Sequence, residues 1–249
     1  METLKDIVKD FKLEKPEWIK SVSHEEIEAD KQQERAEREI QWEKNRIENN
    51  RKIGITSAKY LDMTFSNDNN SMPEVTRKCK YFADNFEKYK ANEVGLLLWG
   101  ETGSGKTFMA AAIANELIDK GHKAIITNLT DIIRGQMDFD NADYNLRRLL
   151  EFDCVVLDDV GVNRSTPYAD EIVQTFIDKC IVNKTVIVAT TNYTIKIMQE
   201  IIDSQSLENL AYSRLFSRLL GNCESVRVSG VKNRKNGLVE KLKKIHGDT

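Results

Sequence analysis

One stretch of the chain decides its fold: Leu96-Leu-Leu-Trp-Gly-Glu-Thr-Gly-Ser-Gly-Lys-Thr107. Its second part, from Gly100 onward, matches the P-loop pattern G-x-x-x-x-G-K-[ST], in which a glycine-rich turn joins a strand to a helix. The apolar run before the turn predicts that strand, and the helical pattern of residues 108–114 predicts the helix. The motif therefore lies in the structural context that a phosphate-binding loop requires.

Each residue type in this loop contributes to holding phosphate. Glycines let the backbone curl so that its N–H groups point at phosphate oxygens, and the start of the following helix adds a partial positive charge. Lys106 supplies a charge for the β- and γ-phosphates, and Thr107 supplies a hydroxyl for Mg²⁺. The predicted nucleotide contacts are Gly100, Glu101, Thr102, Gly103, Ser104, Gly105, Lys106, Thr107 and Phe108.

Polar residues at the ends of two later apolar runs are expected to complete this site. Asp158 and Asp159 end one run and Asn192 ends another, and the carboxyl ends of parallel strands gather at one edge of a sheet. We assign Asp158, together with Thr107, to Mg²⁺, and Asp159 to polarising the attacking water. Asn192 could bind that water or the γ-phosphate, although a turn-forming asparagine gives the same pattern.

Apolar runs alternate with helical patterns through the last two thirds of the chain. The predicted strands are residues 95–99, 123–128, 154–157, 185–190 and 225–228. The predicted helices are residues 75–90, 106–120, 130–137, 143–152, 170–182 and 207–220. Continuous apolar strands alternating with helices predict an α/β fold with a parallel five-stranded sheet covered on both faces.

The part of the chain before this alternation has a different composition. Residues 25–52 contain no proline or glycine, and Ser23 with Glu26 forms a capping-box pattern, which predicts one long charged helix. That helix is either simply solvated or an arm that binds a partner. Residues 65–73 are polar and rich in turn formers. We therefore divide the chain into a helical arm (1–52), a linker (53–74) and a nucleotide-binding domain (75–249).

The composition limits the class of protein. The chain has 249 residues, a net charge of −3 and no apolar run as long as a membrane span. The net charge gives no reason to expect a generally nucleic-acid-binding surface. The N-terminus has no signal-peptide core, so we expect a cytoplasmic protein without membrane contact. The four cysteines form no CxxC pair and are expected to be reduced, mostly buried thiols.

Three arginines near the end of the chain are candidates for contacts with phosphate. Arg214 and Arg218 lie four residues apart and share one face of a predicted helix. They form surface salt bridges, or one of them is an arginine finger that stabilises charge on a γ-phosphate, usually that of a neighbouring subunit. Arg234 follows the last predicted strand and could reach the phosphates of its own chain, although the whole tail is basic.

In this order, the motifs resemble those of the AAA+ ATPase superfamily, and within it the bacterial and phage helicase loaders of the DnaC/DnaI type. The resemblance spans residues 54–235 and is carried by the P-loop, Val155-Val-Leu-Asp-Asp-Val-Gly161, Ala189-Thr-Thr-Asn192, Ser213-Arg-Leu-Phe-Ser-Arg-Leu219 and residues 230–234. It implies a three-layer P-loop fold. It also implies that Asn192 is sensor 1, Arg218 the arginine finger and Arg234 sensor 2.

The resemblance further implies that residues 129–150 form an insert that contacts single-stranded DNA. Its candidate phosphate contacts and stacking residues are Arg134, Arg147, Arg148, Phe139 and Tyr144. The same segment carries four aspartates, so a solvated helix pair is an equal expectation. Some loaders of this type have a cysteine-rich zinc module near the N-terminus, and this chain lacks that pattern, so we expect no zinc.

The function implied is that of a loader that uses ATP and Mg²⁺ to deposit a replicative helicase on single-stranded DNA. The arm would bind a DnaB-type hexamer, and the AAA+ domain would self-associate. The alternatives are an IstB-like transposition helper ATPase, an adaptor that binds ATP without hydrolysing it, and a small-molecule P-loop kinase. The second carboxylate, Asp159, argues against the adaptor, and the sequence shows neither the acceptor pocket nor the lid of a kinase.

Overall fold

A computed structural model describes residues 24–137, 142–161, 166–204 and 210–230. Its contacts divide the chain into two units between Lys44 and Asn45. In the first unit, the described residues form the leading part of one helix, α1 (His24–Gly54), which matches the predicted helix closely. Its side chains are largely exposed there: Ile40 is 57% exposed and Trp42 64% exposed. Charged pairs one turn apart, such as Glu34 with Arg38, support this solvated helix.

The second unit begins with the end of α1, and the segment expected to be a linker belongs to it. Two short 3₁₀ helices lie in this segment, at Ala58–Tyr60 and Phe65–Asn67, and we call residues 58–72 the 3₁₀ segment. Ile55 is buried, and Met63 and Met72 pack against the core. The division by contacts therefore falls earlier than the expected boundary, because apolar side chains spaced along a polar segment attach it to the core.

Two helices replace the single helix predicted for residues 75–90. They are α2 (Pro73–Asp84) and α3 (Phe86–Ala91), and they are separated at Asn85, whose φ of −113° and ψ of 24° are not helical. The Asn85 side chain donates a hydrogen bond to the carbonyl of Tyr81. Asparagine competes with the helical hydrogen bonds in this way, which is why it favours helix ends.

The sheet has five strands, all parallel, in the order β2-β3-β4-β1-β5. The strands are β1 (Gly95–Trp99), β2 (Ala124–Thr127), β3 (Cys154–Val160), β4 (Val186–Thr191) and β5 (Cys223–Arg227). This confirms the predicted α/β fold class. Placing β1 between β4 and β5 puts the carboxyl ends of β1, β4 and β3 side by side, which is where a parallel sheet binds ligands.

Helices cover both faces of the sheet. The helices after β1 are α4 (Lys106–Asp119), α5 (Leu129–Met137), α6 (Ala142–Leu150), α7 (Pro167–Val182), α8 (Ile195–Asp203) and α9 (Leu210–Asn222). Alternate residues of β1 enter two apolar clusters, Leu96 and Leu98 with α2 and α4, and Leu97 with α7 and α9. Helix α8 was not predicted, although its N-cap residue Thr194 accepts a hydrogen bond from the N–H of Ile197 as such caps do.

The four cysteines all lie in the described part of the chain and are not in disulfides. Cys79, Cys154 and Cys180 are buried, and Cys223 is partly buried. Burial raises the pKa of Cys79 to about 12 and that of Cys180 to about 12. These thiols therefore remain protonated at neutral pH and behave as apolar core residues.

Within the described ranges, no helix combines the length and apolar character needed to cross a membrane.

Asn115 on α4 joins the P-loop helix to the segment before α2. It is 1% exposed, and its side-chain amide donates to the carbonyls of Tyr60 and Met63 at 2.8 and 3.0 Å. Its side-chain oxygen accepts from Arg51 near the end of α1 at 2.6 Å. One buried side chain thus fixes the position of the 3₁₀ segment relative to the helix that begins at the P-loop.

We predict that Asn115→Ala lowers the free energy of unfolding by roughly 2–3 kcal/mol, because the carbonyls of Tyr60 and Met63 and the Arg51 guanidinium each lose one hydrogen bond. Urea unfolding followed by circular dichroism measures this change. Asn183→Ala is the matched control, since Asn183 also bonds the carbonyl four residues earlier but is exposed. The control should lose less than about 0.5 kcal/mol. Equal losses in the two variants would contradict the prediction.

Candidate nucleotide-binding site

The P-loop joins β1 to α4 as the sequence predicts, and its lysine is held from several sides. Gly105 precedes the helix with a φ of 101°, a left-handed conformation that glycine adopts without strain. Lys106 is 6% exposed. Its Nζ donates to the carbonyls of Gly100 at 2.9 Å and Glu101 at 2.8 Å, and to Oδ1 of Asn192 at 2.8 Å. The ammonium group is therefore already directed into the loop.

Asp158, near the end of β3, faces the first turn of α4. Its Oδ1 accepts a hydrogen bond from the Thr107 hydroxyl at 2.9 Å and one from the Thr190 hydroxyl at 2.7 Å. A carboxylate beside a hydroxyl provides the oxygen ligands that Mg²⁺ prefers, with room for water molecules between metal and protein. Thr190 was not singled out from the sequence, although it stands in the polar end of an apolar strand.

Asp159 and Asn192 form a second pair next to Asp158. The Asn192 side-chain amide donates to Oδ1 of Asp159 at 3.0 Å, while the Asp159 N–H donates to the Thr190 hydroxyl at 2.8 Å. Asp159 has a φ of 61°, which is uncommon for a residue other than glycine, and the pairing of β3 with β4 is irregular here. Because Asn192 also accepts from Lys106, these three residues form one hydrogen-bonded chain from cation to carboxylate.

These side chains border a cleft of about 630 Å³. Its walls contain P-loop residues and residues of the 3₁₀ segment, so the cleft is large enough for a nucleotide. The lining residues that the sequence analysis did not predict are Lys59, Met63, Asn67, Asp68, Asn69, Ser71, Met72, Met109 and Thr190. The sequence signal for this wall is a set of apolar residues spaced along a largely polar stretch, Tyr60, Met63, Phe65 and Met72, which pack against the core. The hydrogen bond with Tyr60 and the negative charge of Asp158 raise the pKa of Lys59, so the wall also carries a cation.

The residues present fit a magnesium-bound nucleoside triphosphate. The hydroxyl of Ser104, in the P-loop, is buried and has no hydrogen-bond partner among the described residues. The Lys106 ammonium group donates hydrogen bonds to loop carbonyls and to Asn192. A bound phosphate would compete with these acceptors for the ammonium group. Thr107 and Asp158 present two oxygens 2.9 Å apart. The donor set therefore suits an anion next to a hard cation.

Arg214 and Arg218 lie apart from this cleft. Arg218 on α9 forms an ion pair with Asp178 on α7, with 2.6 Å between Nη2 and Oδ1, and it is not among the residues that line the cleft. Arg214, one turn earlier, donates to Oε1 of Gln174 at 2.6 Å. Arg234 lies outside the described residues.

Four of the five predicted DNA contacts belong to α5 or α6, two helices that pack against each other. Arg134, Arg147 and Arg148 are exposed, and Arg134 is 4.0 Å from Asp131. Phe139 lies outside the described residues. For Tyr144 only the backbone is described, and it forms part of α6. The three exposed arginines leave the insert available for contact with phosphate but do not assign it that role.

Comparison with known proteins finds a matching family profile and several relatives that are similar in sequence. The profile of the family described as IstB-like ATP binding protein matches residues 21–240. The replicative helicase loader DnaC of Escherichia coli K12 is 26% identical over 129 residues, which is 50% of this chain and 53% of that protein. The replicative helicase loader DnaI of Bacillus subtilis is 26% identical over 185 residues, or 70% of this chain and 59% of that protein. The chain thus spans only a little over half the length of these relatives.

Solved structures show the same fold. A crystal structure of the DnaC helicase loader aligns with 70% of this chain and 100% of its own, with a TM-score of 0.59 and 22% identity. AMPPCP-bound DnaA from Aquifex aeolicus aligns with 76% of this chain and 57% of its own, with a TM-score of 0.54 and 18% identity. These matches and the order of the strands show that the chain has the fold of an AAA+ domain, and together with the sequence relatives they confirm the resemblance to DnaC/DnaI-type loaders. The profile extends over most of the chain, which therefore belongs to the family of IstB-like ATP-binding proteins.

Proposed function

We propose that the chain is an ATP-dependent loader that deposits a replicative helicase on single-stranded DNA in the bacterial cytoplasm. The observation that carries the enzymatic part is the hydrogen-bonded chain Lys106–Asn192–Asp159 beside the Thr107–Asp158 pair. A site that only bound ATP would not require a second carboxylate next to an amide and a lysine. The loader part is supported by similarity to proteins named as replicative helicase loaders.

In this proposal the P-loop binds the triphosphate and Asp158 with Thr107 holds Mg²⁺. The lysine neutralises charge on the β- and γ-phosphates. When bound, Mg²⁺ supplies further charge neutralisation on the same oxygens. Positioning and electrostatics supply most of the rate enhancement in phosphoryl transfer, so these fixed donors are the main catalytic contribution of the loop.

Asn192 and Asp159 carry out the hydrolytic step in this proposal. Asn192 orients a water molecule against the γ-phosphorus, and Asp159 accepts its proton as the new P–O bond forms. The bond between the γ-phosphorus and the bridging oxygen breaks, and ADP leaves with the electron pair. Asn192 is hydrogen-bonded to both Lys106 and Asp159, so the same amide connects phosphate binding to the base.

Two variants separate binding from hydrolysis. Lys106→Ala should weaken ATP binding about 10- to 100-fold, because a buried charge-assisted hydrogen-bond donor is lost. Asp159→Asn should bind ATP with nearly unchanged affinity and lower kcat by about 100-fold or more, because the amide accepts no proton. Calorimetry measures the binding and phosphate release measures the rate. If Asp159→Asn hydrolyses ATP as fast as the wild type, the protein uses a different base. If the wild type binds ATP but releases no phosphate, the protein functions as an adaptor.

Arg218 is proposed to act on the nucleotide of a neighbouring subunit. Arg218→Ala should lower kcat about 1,000-fold with little change in ATP affinity. The matched control, Arg214→Ala, removes a guanidinium group from the same helix. Its kcat should stay within about twofold of the wild-type kcat.

Mixing two inactive variants tests whether this action crosses subunits. Arg218→Ala retains an intact nucleotide site, and Lys106→Ala retains the arginine, so the mixture should hydrolyse ATP although neither variant does alone. A mixture as inactive as its components would show that Arg218 does not complete a neighbouring site.

The partners follow from the other surfaces of the chain. The arm, residues 1–52, would bind a DnaB-type hexamer, since part of it exposes Ile40 and Trp42. The insert, residues 129–150, would contact single-stranded DNA through its exposed arginines. Similar AAA+ domains would assemble side by side, which a finger acting between subunits requires.

Size-exclusion chromatography of the full chain with a hexameric replicative helicase tests the loader role. We predict co-elution that requires ATP, and weaker co-elution of Trp42→Ala than of Arg148→Ala, because only the first lies on the arm. Fluorescence anisotropy with single-stranded DNA should show the reverse order for the two variants. Equal co-elution of both variants with the helicase would contradict the role of the arm.

The family match favours one other function. The family is named for IstB-like proteins, so a transposition helper ATPase with the same site chemistry is the second candidate. A parallel co-elution experiment with a transposase distinguishes the two: a complex with the transposase and none with the helicase would overturn the loader proposal.

A further inference from the structure

Tyr193 directly follows Asn192 and joins three parts of the molecule. Its hydroxyl donates a hydrogen bond to the carbonyl of Gly161 at 3.2 Å, and its N–H donates to the hydroxyl of Thr191 at 3.3 Å. The Thr191 hydroxyl in turn donates to the carbonyl of Val160 at 2.8 Å. The end of β4 is thus tied to the end of β3, the two segments that carry Asn192 and Asp159.

Gly161 fits the Tyr193 ring closely. Its φ is 103°, and a Cβ at this position would lie 2.3 Å from Cε2 and 2.7 Å from Cδ2 of Tyr193. Two consecutive carbonyls just beyond Asp159, those of Val160 and Gly161, thus have partners at the end of β4 and just after it. This restraint matters because Asp159 itself has a φ of 61°, which its neighbours must maintain.

The ring of Tyr193 continues this connection to α9. It packs edge-on against Phe216, with ring centroids 5.6 Å apart and an angle of 81° between planes, and Phe216 stacks on Tyr212. Phe216 is fully buried and lies between Arg214 and Arg218 in the sequence of α9. One side chain thus contacts both the segment that holds the proposed base and the helix that carries the proposed finger.

We infer that Tyr193 is a positioning residue for ATP hydrolysis: its hydroxyl, bound to Gly161, sets the geometry of the Asp159–Asn192 pair, and its ring links that pair to α9. This inference rests on the proposed hydrolytic function. Tyr193 does not line the nucleotide cleft. It acts through the 3.0 Å contact between Asn192 and Asp159, so it affects the chemical step and leaves nucleotide binding unchanged.

Tyr193→Phe removes the hydroxyl and keeps the ring. We expect kcat to fall about 10- to 100-fold, as small displacements of catalytic groups do, with the Kd for ATP within about twofold of the wild type. Tyr193→Leu, which also removes the ring contact with Phe216, should lower kcat further. Tyr168→Phe is the matched control, since the Tyr168 hydroxyl also donates to a carbonyl, that of Gln136, but away from the cleft.

Hydrogen exchange gives a readout that does not depend on turnover. Backbone amides of β3 and Gly161 should exchange about fivefold faster in Tyr193→Phe than in the wild type, because one restraint on this segment is lost. They should be unchanged in Tyr168→Phe. Unchanged exchange, or unchanged kcat in a hydrolysing protein, would overturn the inference. A wild type that hydrolyses no ATP would overturn the proposed function instead, and the exchange measurement would still decide whether Tyr193 positions the pair.

Discussion

The site depends on the buried ammonium group of Lys106. Burying a cation is costly unless it has partners, and Lys106 finds them in two loop carbonyls and the Asn192 side chain. The loop can close around the lysine because its glycines permit the turn, and Asn192 reaches it because β1 and β4 are neighbours in the sheet. From Lys106, Asn192 continues the hydrogen-bonded chain to Asp159.

Strand order decides which polar residues meet. Since β4 lies between β1 and β3, Asn192 stands between the P-loop and Asp159 and bonds both. Thr107 reaches across from α4 to Asp158, which Thr190 also holds. Where the pairing at the end of β3 is irregular, the two adjacent aspartates have different partners: Asp158 accepts from two threonine hydroxyls, and Asp159 accepts from the Asn192 amide.

Two connections extend from this cleft into the rest of the second unit. Asn115 links the end of α1 and the 3₁₀ segment to the P-loop helix, and Tyr193 links the ends of β3 and β4 to α9. In an ATPase that responds to partners, binding energy must reach the nucleotide site through packed elements of this kind. The described contacts thus connect the end of α1 and helix α9 with the elements that carry the residues of the cleft.

The sequence by itself determined the fold class, all five strands and the P-loop with its acidic partners, because these depend on local patterns: an apolar run, a glycine turn, a helix. Only the tertiary structure decided which residues form the opposite wall of the cleft, that Thr190 holds Asp158, and that Arg218 pairs with Asp178. Lys59, Met63 and Met72 stand in a segment without periodicity, and α8 and the break at Asn85 depend on single caps and competing hydrogen bonds. The cleft wall, the Thr190–Asp158 bond and the Arg218–Asp178 pair arise from contacts between residues far apart in sequence, which no local pattern encodes.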